Sequence, residues 1–144
     1  MDMQDKDLKK AASLSYLLNS HYVKHFIRCY QLFDGDFESC VVLGEIATYN
    51  AKEVFTKLQG SNFDLDEIRS LLKGCNAYSI SMSTGIPRET VRRKVKKLQD
   101  LGFIVVDEKN QLVVTQRPQI EFNAFTKETL VLFFELIEKM KDDI

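Results

Sequence analysis

Apolar residues recur at steps of three and four at both ends of the chain, the pattern of amphipathic helices. Near the N-terminus these positions are Leu8, Ala11, Ala12, Leu14, Leu18, Tyr22, Phe26, Cys29 and Phe33. They predict one long helix from Asp7 to about Phe33, with Asn19-Ser20 as a place where it could bend. Near the C-terminus the positions are Leu130, Phe133, Phe134, Ile137 and Met140, widened by Val131, Leu132 and Leu136. They predict a last helix through Met140, capped by Asn123 or Thr126.

Between these helices the chain carries clear start and stop signals. Asp34-Gly35-Asp36 is a turn, and Asp36 can cap a helix that runs from Phe37 to Ile46 and on towards Leu58. Gly60-Ser61-Asn62 breaks that helix.

A third helix is predicted by its first turn. Asp64 stands three residues before Glu67, the spacing of a capping box. We expect a short helix over Leu65–Lys73, ended by Gly74.

The middle of the chain predicts two helices joined by a tight turn. Asn76 can cap a helix from Ala77 to about Ser83, and Gly85 can take the positive φ of a turn. Pro87 suits the first turn of a helix, since its missing N–H costs nothing there. That helix runs from Arg88 to about Leu101.

A hairpin follows the glycine at 102. Residues 103–106 and 112–115 are two β-branched, apolar runs joined by the polar segment 107–111. Pro118 stops the second strand. The low Gly and Pro content, six and two residues, also argues against an all-β fold.

The charge is unevenly distributed. The 144 residues carry a net charge of -1, which taken alone argues against a nucleic-acid partner. Residues 74–101, however, hold six basic and two acidic side chains, a net charge of +4, against -2 before them and -3 after them. The basic members are Arg88, Arg92, Arg93, Lys94, Lys96 and Lys97. Such a segment attracts phosphates even on a neutral protein.

The segment from Ser79 to Val95, SISMSTGIPRETVRRKV, resembles the helix-turn-helix of bacterial winged-helix regulators in the spacing of Ser81, Gly85 and Val91. Leu101-Gly102-Phe103-Ile104 is similar to the entry to their wing. With a helix on either side, the arrangement resembles MarR-type proteins. Their wing usually carries an Asp-x-Arg segment, whereas Lys109 is the basic residue of this loop.

The resemblance implies a mainly α fold with a small β-hairpin wing, a winged helix-turn-helix flanked by N- and C-terminal dimerisation helices. We expect a single domain over 1–144, with N-terminal helices at 7–58, helix-turn-helix and wing at 64–117 and a C-terminal helix at 123–141. The implied function is sequence-specific binding of double-stranded DNA by a homodimeric transcriptional regulator in the cytoplasm of a bacterium. MarR-like proteins often hold a small ligand, so an unidentified small-molecule effector is possible; Tyr16, Tyr22, Tyr30 and Tyr49 could line its pocket or simply pack in the core.

Helical phase assigns the DNA-binding candidates. Val91, Val95 and Leu98 share the core face of the second helix. The candidates for base edges in the major groove are Arg88, Glu89, Arg92 and Arg93. The phosphate candidates are Lys96 and Lys97, with a weak wing contact at Lys109. Hydroxyls near helix N-termini are offered by Ser83, Thr84 and Thr90.

Other interpretations of these residues stay open. The basic helix could be a solvated face, and Ser83 and Thr84 could be ordinary turn residues.

The three cysteines, Cys29, Cys40 and Cys75, are widely spaced and odd in number, so we expect free, partly buried thiols and no disulfides. His21 and His25 are four residues apart and could contribute to a zinc site, but two ligands are too few, and we expect no metal and no cofactor.

The sequence argues against an enzyme and a membrane protein, and it leaves two alternatives to a DNA-binding regulator. No catalytic set or phosphate loop is visible, so we do not expect an enzyme; no long apolar run exists, so we expect no membrane span. The alternatives to a DNA-binding regulator are a winged-helix protein-interaction module without DNA readout, and a ligand or redox sensor acting through Cys29, Cys40 or the histidine pair.

Overall fold

A computed structural model of the protein describes residues 5–59, 62 and 64–143. These residues form seven α-helices and one two-stranded antiparallel sheet. In chain order the elements are α1 (Asp5–Leu32), α2 (Phe37–Leu58), α3 (Leu65–Leu71), α4 (Ala77–Thr84), α5 (Arg88–Asp100), β1 (Ile104–Val106), β2 (Leu112–Val114), α6 (Arg117–Glu121) and α7 (Asn123–Met140), followed by a single 3₁₀ turn. The prediction of a mainly helical chain with one small hairpin is confirmed.

The elements belong to two compact units. The two-helix unit comprises the chain up to Gly35 and from Glu121 onwards, and holds α1 and α7; the hairpin unit comprises residues 36–120 and holds α2 to α5, β1 and β2. Within the described residues, no helix is both long enough and apolar enough to cross a membrane.

Local signals near the helix ends predicted the right boundaries in most cases. Asp36 caps α2, and its side chain accepts a hydrogen bond from the Ser39 N–H at 3.1 Å. Asp64 caps α3 in the same way through the Glu67 N–H. α1 runs without interruption through Asn19-Ser20, so no break occurs there. The predicted break at Gly60-Ser61 lies outside the described residues.

The predicted end of α3 was wrong. The helix stops at Leu71, before Lys73, because the next residues are extended and bonded elsewhere. The Lys73 N–H donates to the Asn50 carbonyl at 3.1 Å. Gly74 is not a helix cap; a Cβ at this position would clash with the Cβ of Gln111, so glycine permits a close approach to the hairpin.

The predicted N-cap residue of the last helix was also wrong. α7 begins at Asn123, and its N-cap residue is Phe122, with no side-chain cap bond from Asn123 or Thr126. The chain arrives from a helix, α6, which sequence patterning did not predict. Pro118 is buried near the start of α6 and therefore stands where a proline is tolerated in a helix.

Apolar side chains from α2, α4, α5 and the hairpin meet in one core. Val42 and Ile46 of α2, Ile80 of α4 and Val91 of α5 are fully buried. Ile104 of β1 is also buried, and β1 pairs with β2 so that Ile104 faces Val114.

A buried asparagine joins the hairpin to α2. Asn50 is 2% exposed, and its Nδ2 donates to the carbonyls of Lys73 at 2.7 Å and Leu112 at 3.1 Å. Its Oδ1 accepts from the Val114 N–H at 2.9 Å. Both N–H donors of this amide side chain and its oxygen are thus engaged by backbone groups. The short β-ribbon would be only marginally stable alone, so this contact from α2 supports it.

The two-helix unit has little interior of its own. Among its described residues only Cys29 and Leu136 are buried. Arg28 ties the helices together: its guanidinium lies 4.4 Å from the Phe125 ring centre and donates to the Phe125 carbonyl at 3.0 Å. Large apolar side chains that remain at least 39% exposed are Leu8, Tyr16, Tyr22, Val23, Phe26, Ile27, Tyr30, Leu130, Val131, Phe133, Phe134 and Ile137.

We predict that Asn50→Ala lowers the free energy of unfolding by about 2–4 kcal/mol, because the Val114 N–H and the Lys73 carbonyl would no longer meet their side-chain partner inside the fold. Urea denaturation followed by circular dichroism measures the change. Asn19→Ala, at an exposed position of α1, is the control and should change stability by less than about 0.5 kcal/mol. Equal stability of the two variants would contradict the role assigned to Asn50.

Candidate nucleic-acid interface

α5 separates apolar from charged side chains along two opposite faces. Val91, Val95 and Leu98 are 0%, 7% and 0% exposed and point into the core of the hairpin unit. Arg92, Arg93 and Lys96 are all exposed. The buried valines and leucine fix the rotation of the helix about its axis, so the basic residues must face solvent.

The turn before α5 is held by side-chain hydroxyls. Gly85 has φ +76°, the left-handed conformation expected from the sequence. The Ser81 hydroxyl donates to the Ile86 carbonyl at 2.7 Å, and the Ile86 N–H donates to the Thr84 hydroxyl at 3.2 Å. These contacts fix the angle at which α5 leaves α4.

One carboxylate anchors α5 to the start of α2. Lys94 Nζ lies 2.9 Å from Asp36 Oδ1, and Lys97 Nζ lies 2.7 Å from Oδ2. The Ser39 hydroxyl also donates to Oδ2, at 2.6 Å. The Asp36 side chain is only 14% exposed and that of Lys94 is 19% exposed, so this ion pair is shielded from salt more than a surface pair is. We call Asp36, Lys94 and Lys97 the aspartate clamp.

The clamp keeps Asp36 ionised. Burial alone would raise the pKa of this carboxyl, but the hydrogen bonds from Lys94, Lys97 and Ser39 outweigh it and hold the pKa far below its usual range. The single negative charge of Asp36 therefore offsets part of the positive charge of both lysines. Lys97, predicted from sequence as a phosphate contact, is half-exposed but already bonded to Asp36.

The remaining cations of α5 have weaker partners. Arg92 pairs with Glu89 at 2.9 Å one turn away, and Lys96 approaches Asp100 at 3.9 Å. Arg93 donates to the Thr90 hydroxyl at 3.5 Å. Exposed pairs of this kind contribute about 0–1 kcal/mol. A phosphate or a base edge can therefore replace these partners.

Arg88 stands apart at the first position of α5. Its guanidinium carbon lies over the Tyr78 ring, 5.7 Å from the ring centre. Tyr78 is 55% exposed on the outer side of α4, one turn before Met82 at 68%. The contact joins the first helix of the pair to the N-terminal end of the second.

Two of the three predicted hydroxyl candidates have internal partners. Ser83 and Thr84 both donate to the Ile80 carbonyl, at 3.2 and 2.7 Å. Thr90 is half-buried on α5. Ser83 and Thr84 therefore hold the end of α4, which is the part that ordinary turn residues play.

The hairpin loop is organised around Asp107. Its Oδ1 accepts the N–H groups of Lys109 at 2.8 Å and Gln111 at 2.9 Å, and Asn110 takes φ +60°. Lys109 is exposed at the tip, next to the exposed Glu108. The loop therefore offers one cation in an acidic setting.

The cysteines and histidines form no evident metal centre. Among the described residues the three cysteines form no disulfide, and no group of three metal-ligating side chains lies together. Burial, and secondarily Glu45, raises the pKa of Cys75 to about 11, so this thiol stays protonated. Cys29 is buried with its Sγ 3.5 Å from His25 Nε2, and burial, followed by the charges of Arg28 and His21, lowers the pKa of His25.

A cleft of about 180 Å³ lies between α1 and α7. His21, His25 and Arg28 border it together with Tyr16. Tyr16 is the one member of the predicted tyrosine set found there. Tyr49 belongs to α2 in the hairpin unit, so the four tyrosines do not form one pocket wall within the two-helix unit.

Comparison with known proteins adds no assignment: no protein-family model, curated protein or solved structure matches this chain.

Sequence patterning missed two residues of this surface. Asp36 was expected only as a helix cap, since its ion-pair partners lie 58 and 61 residues away. Tyr78 gave no signal beyond its place in a short helix. The basic residues, by contrast, were found from their density and helical phase.

We predict that Asp36→Ala lowers the free energy of unfolding at pH 7 by about 2–3 kcal/mol, because it removes a helix cap together with charge-assisted hydrogen bonds. Asp36→Asn should cost less, because asparagine still caps α2. Urea unfolding of both variants tests this order, and an unchanged stability of Asp36→Ala would refute it.

The same carboxyl predicts a pH dependence. Because its pKa is lower in the folded protein, its stabilising contribution is complete above the unfolded value of about 3.9 and is lost as the pH falls below it. The stability difference between wild type and Asp36→Asn should therefore shrink from pH 6 to pH 2. A difference that stays constant over this range would show that Asp36 is not preferentially ionised in the folded state.

Proposed function

We propose that this chain is a winged-helix protein that binds double-stranded DNA as a homodimer and regulates transcription. The observation that carries the proposal is α5: a helix whose rotation is fixed by its buried face, whose start is fixed by the Gly85 turn, and whose outer face holds exposed cations with exchangeable partners. A helix following a tight turn in this way is the element that enters the major groove in helix-turn-helix proteins.

In this proposal the N-terminal part of α5 reads base edges. Arg88, Arg92 and Arg93 can each donate two hydrogen bonds to guanine, and Glu89 can accept from cytosine. Glu89 and Arg92, now bonded to each other, separate on binding, and each takes a new partner on the DNA. Lys96 contacts phosphate and fixes the register of the helix on DNA.

The hairpin acts as the wing, with a minor electrostatic role. Lys109 lies at its exposed tip, but Asp107 and Glu108 beside it oppose a phosphate. Most of the binding free energy therefore comes from α5. The clamp also weakens phosphate binding, since Asp36 competes with phosphate for Lys97.

Homodimerisation is proposed through α1 and α7. The two-helix unit buries only Cys29 and Leu136 among its described residues, while large apolar side chains of both helices stay exposed. A second copy offers the same apolar faces, and a two-fold axis lets each patch pack on its equivalent. Such a dimer presents two α5 helices, which on straight DNA need half-sites about 34–36 Å apart.

We predict that the double variant Arg92→Ala, Arg93→Ala lowers duplex affinity at least about ten-fold at about 50 mM salt. The slope of log affinity against log salt should also fall by roughly 1 for each phosphate that the variant no longer neutralises. Fluorescence anisotropy with a labelled duplex at two salt concentrations measures both. Lys52→Ala, an exposed cation on α2 outside the proposed DNA and dimer contacts, is the matched control. Failure of the wild type to bind any duplex at low salt would rule the proposal out.

The oligomeric state is predicted separately. Phe134 lies on the apolar face of α7 and is 60% exposed in one chain. Phe134→Asp should convert the dimer to a folded monomer, because the dimer would bury the new charge without a partner. Phe55→Asp, at a 71% exposed site on α2, should remain a dimer. Sedimentation velocity distinguishes them, and a monomeric wild type at micromolar concentration would contradict the dimer.

Selection from a random duplex pool separates sequence reading from the interaction-module alternative. A DNA-reading protein enriches a sequence that contains two related half-sites. A protein-interaction module, or a merely basic surface, enriches none.

A further inference from the structure

Arg88 is prepared for base reading in a way that the other arginines of α5 are not. Arg92 already donates from Nη1 to Glu89, and Arg93 donates from Nη2 to Thr90. Arg88 is positioned by a ring instead: its guanidinium carbon lies over Tyr78 at 5.7 Å. Among the residues that the structure describes, no carboxylate forms an ion pair with Arg88.

A ring contact restrains an arginine without using its hydrogen-bond donors. The attraction is between the positive charge and the face of the ring, and the guanidinium keeps all five N–H donors for another partner. A free arginine side chain loses rotamer entropy when it is fixed. A side chain that already rests on a ring loses less on binding, which is the advantage of preorganisation.

The supporting ring is itself well placed. Tyr78 stands on α4, which is fixed by the capping box of Asn76 and Ser79 and by the Gly85 turn. Over half of its surface is exposed, so the ring lies on the outer side of α4 and not in the core. The hydrogen bond from the Ser81 hydroxyl to the Ile86 carbonyl holds together the two helices on which the ring and the cation stand.

We infer that Tyr78 is a specificity-determining residue: its ring positions Arg88 to donate two hydrogen bonds to one guanine in each half-site. The inference rests on the proposed DNA-binding function and deepens it. Tyr78 is a positioning residue in this scheme, since it acts through Arg88 and not by contacting the base.

The test compares variants at Tyr78 on the duplex selected by the wild type and on an unrelated duplex at the same salt. Tyr78→Ala and Tyr78→Leu should each bind the selected duplex about two- to five-fold more weakly, the size of an exposed cation–π contact. Tyr78→Phe keeps the ring and should bind like wild type. Binding to the unrelated duplex should be unchanged. Met82→Ala, at an exposed residue on the same helix, is the control.

A double-variant cycle shows whether Tyr78 acts through Arg88. In an Arg88→Ala background, Tyr78→Ala should cost no further affinity. Repeating the selection with Tyr78→Ala should weaken the preference for guanine at the same position that Arg88→Ala weakens. Thermal melting of each variant checks the fold, and Tyr78→Leu, which retains apolar bulk, carries the test if Tyr78→Ala is unstable.

Several outcomes would overturn the inference while leaving the proposed function intact. These are sequence-selective binding that is insensitive to Tyr78, a loss in Tyr78→Phe equal to that in Tyr78→Ala, or a loss that persists undiminished without Arg88. A wild type that binds no duplex, or selects no sequence, overturns the proposed function and the inference together.

Discussion

Two lysines of α5 form ion pairs with one carboxylate, that of Asp36. These ion pairs attach α5 to the start of α2 and reduce the positive charge that α5 presents to solvent. A carboxylate at the start of α2 meets Lys94 and Lys97 at 2.9 and 2.7 Å, and the same group caps α2 through Ser39. The position of a helix end and the position of a second helix therefore depend on one ionised side chain. The positive charge of α5 that is not paired with Asp36 therefore comes from the basic side chains outside the clamp.

This arrangement explains how an acidic protein can carry a basic surface of limited strength. The local charge of +4 over residues 74–101 overstates the attraction that a phosphate would meet, because Asp36 lies outside that segment in the chain and beside it in space. Glu89 and Asp100 reduce it further. The field at this surface is therefore set by the local arrangement of charges and not by the net charge of the chain.

Features set by neighbouring residues could be predicted from the sequence, whereas features set by distant ones could not. The cap at Asp36, the capping residue Asn76, the turn at Gly85 and the apolar stripe of α5 each depend on contacts within a few positions, and all four predictions were confirmed. The lysine partners of Asp36 and the hairpin partners of Asn50 are 58 to 64 residues away. Periodicity carries no information about which distant groups meet.

The same limit explains the errors at two helix ends. The end of α3 was placed at Gly74 because glycine commonly ends a helix, but Gly74 is required by the nearby Gln111 side chain. The start of α7 was assigned to polar capping residues, but the chain enters it from α6 through Phe122. Among the exposed residues of α4 and α5, the cations were singled out by charge density, while Tyr78, an ordinary aromatic by sequence, was not.

The buried amide of Asn50 also constrains the order in which the hairpin unit can assemble. A strand pair three residues long does not persist in water by itself, and its support comes from a side chain 62 to 64 residues earlier in the chain. Closing that loop costs entropy before the hydrogen bonds offset it. The hairpin therefore depends on α2 for part of its stability.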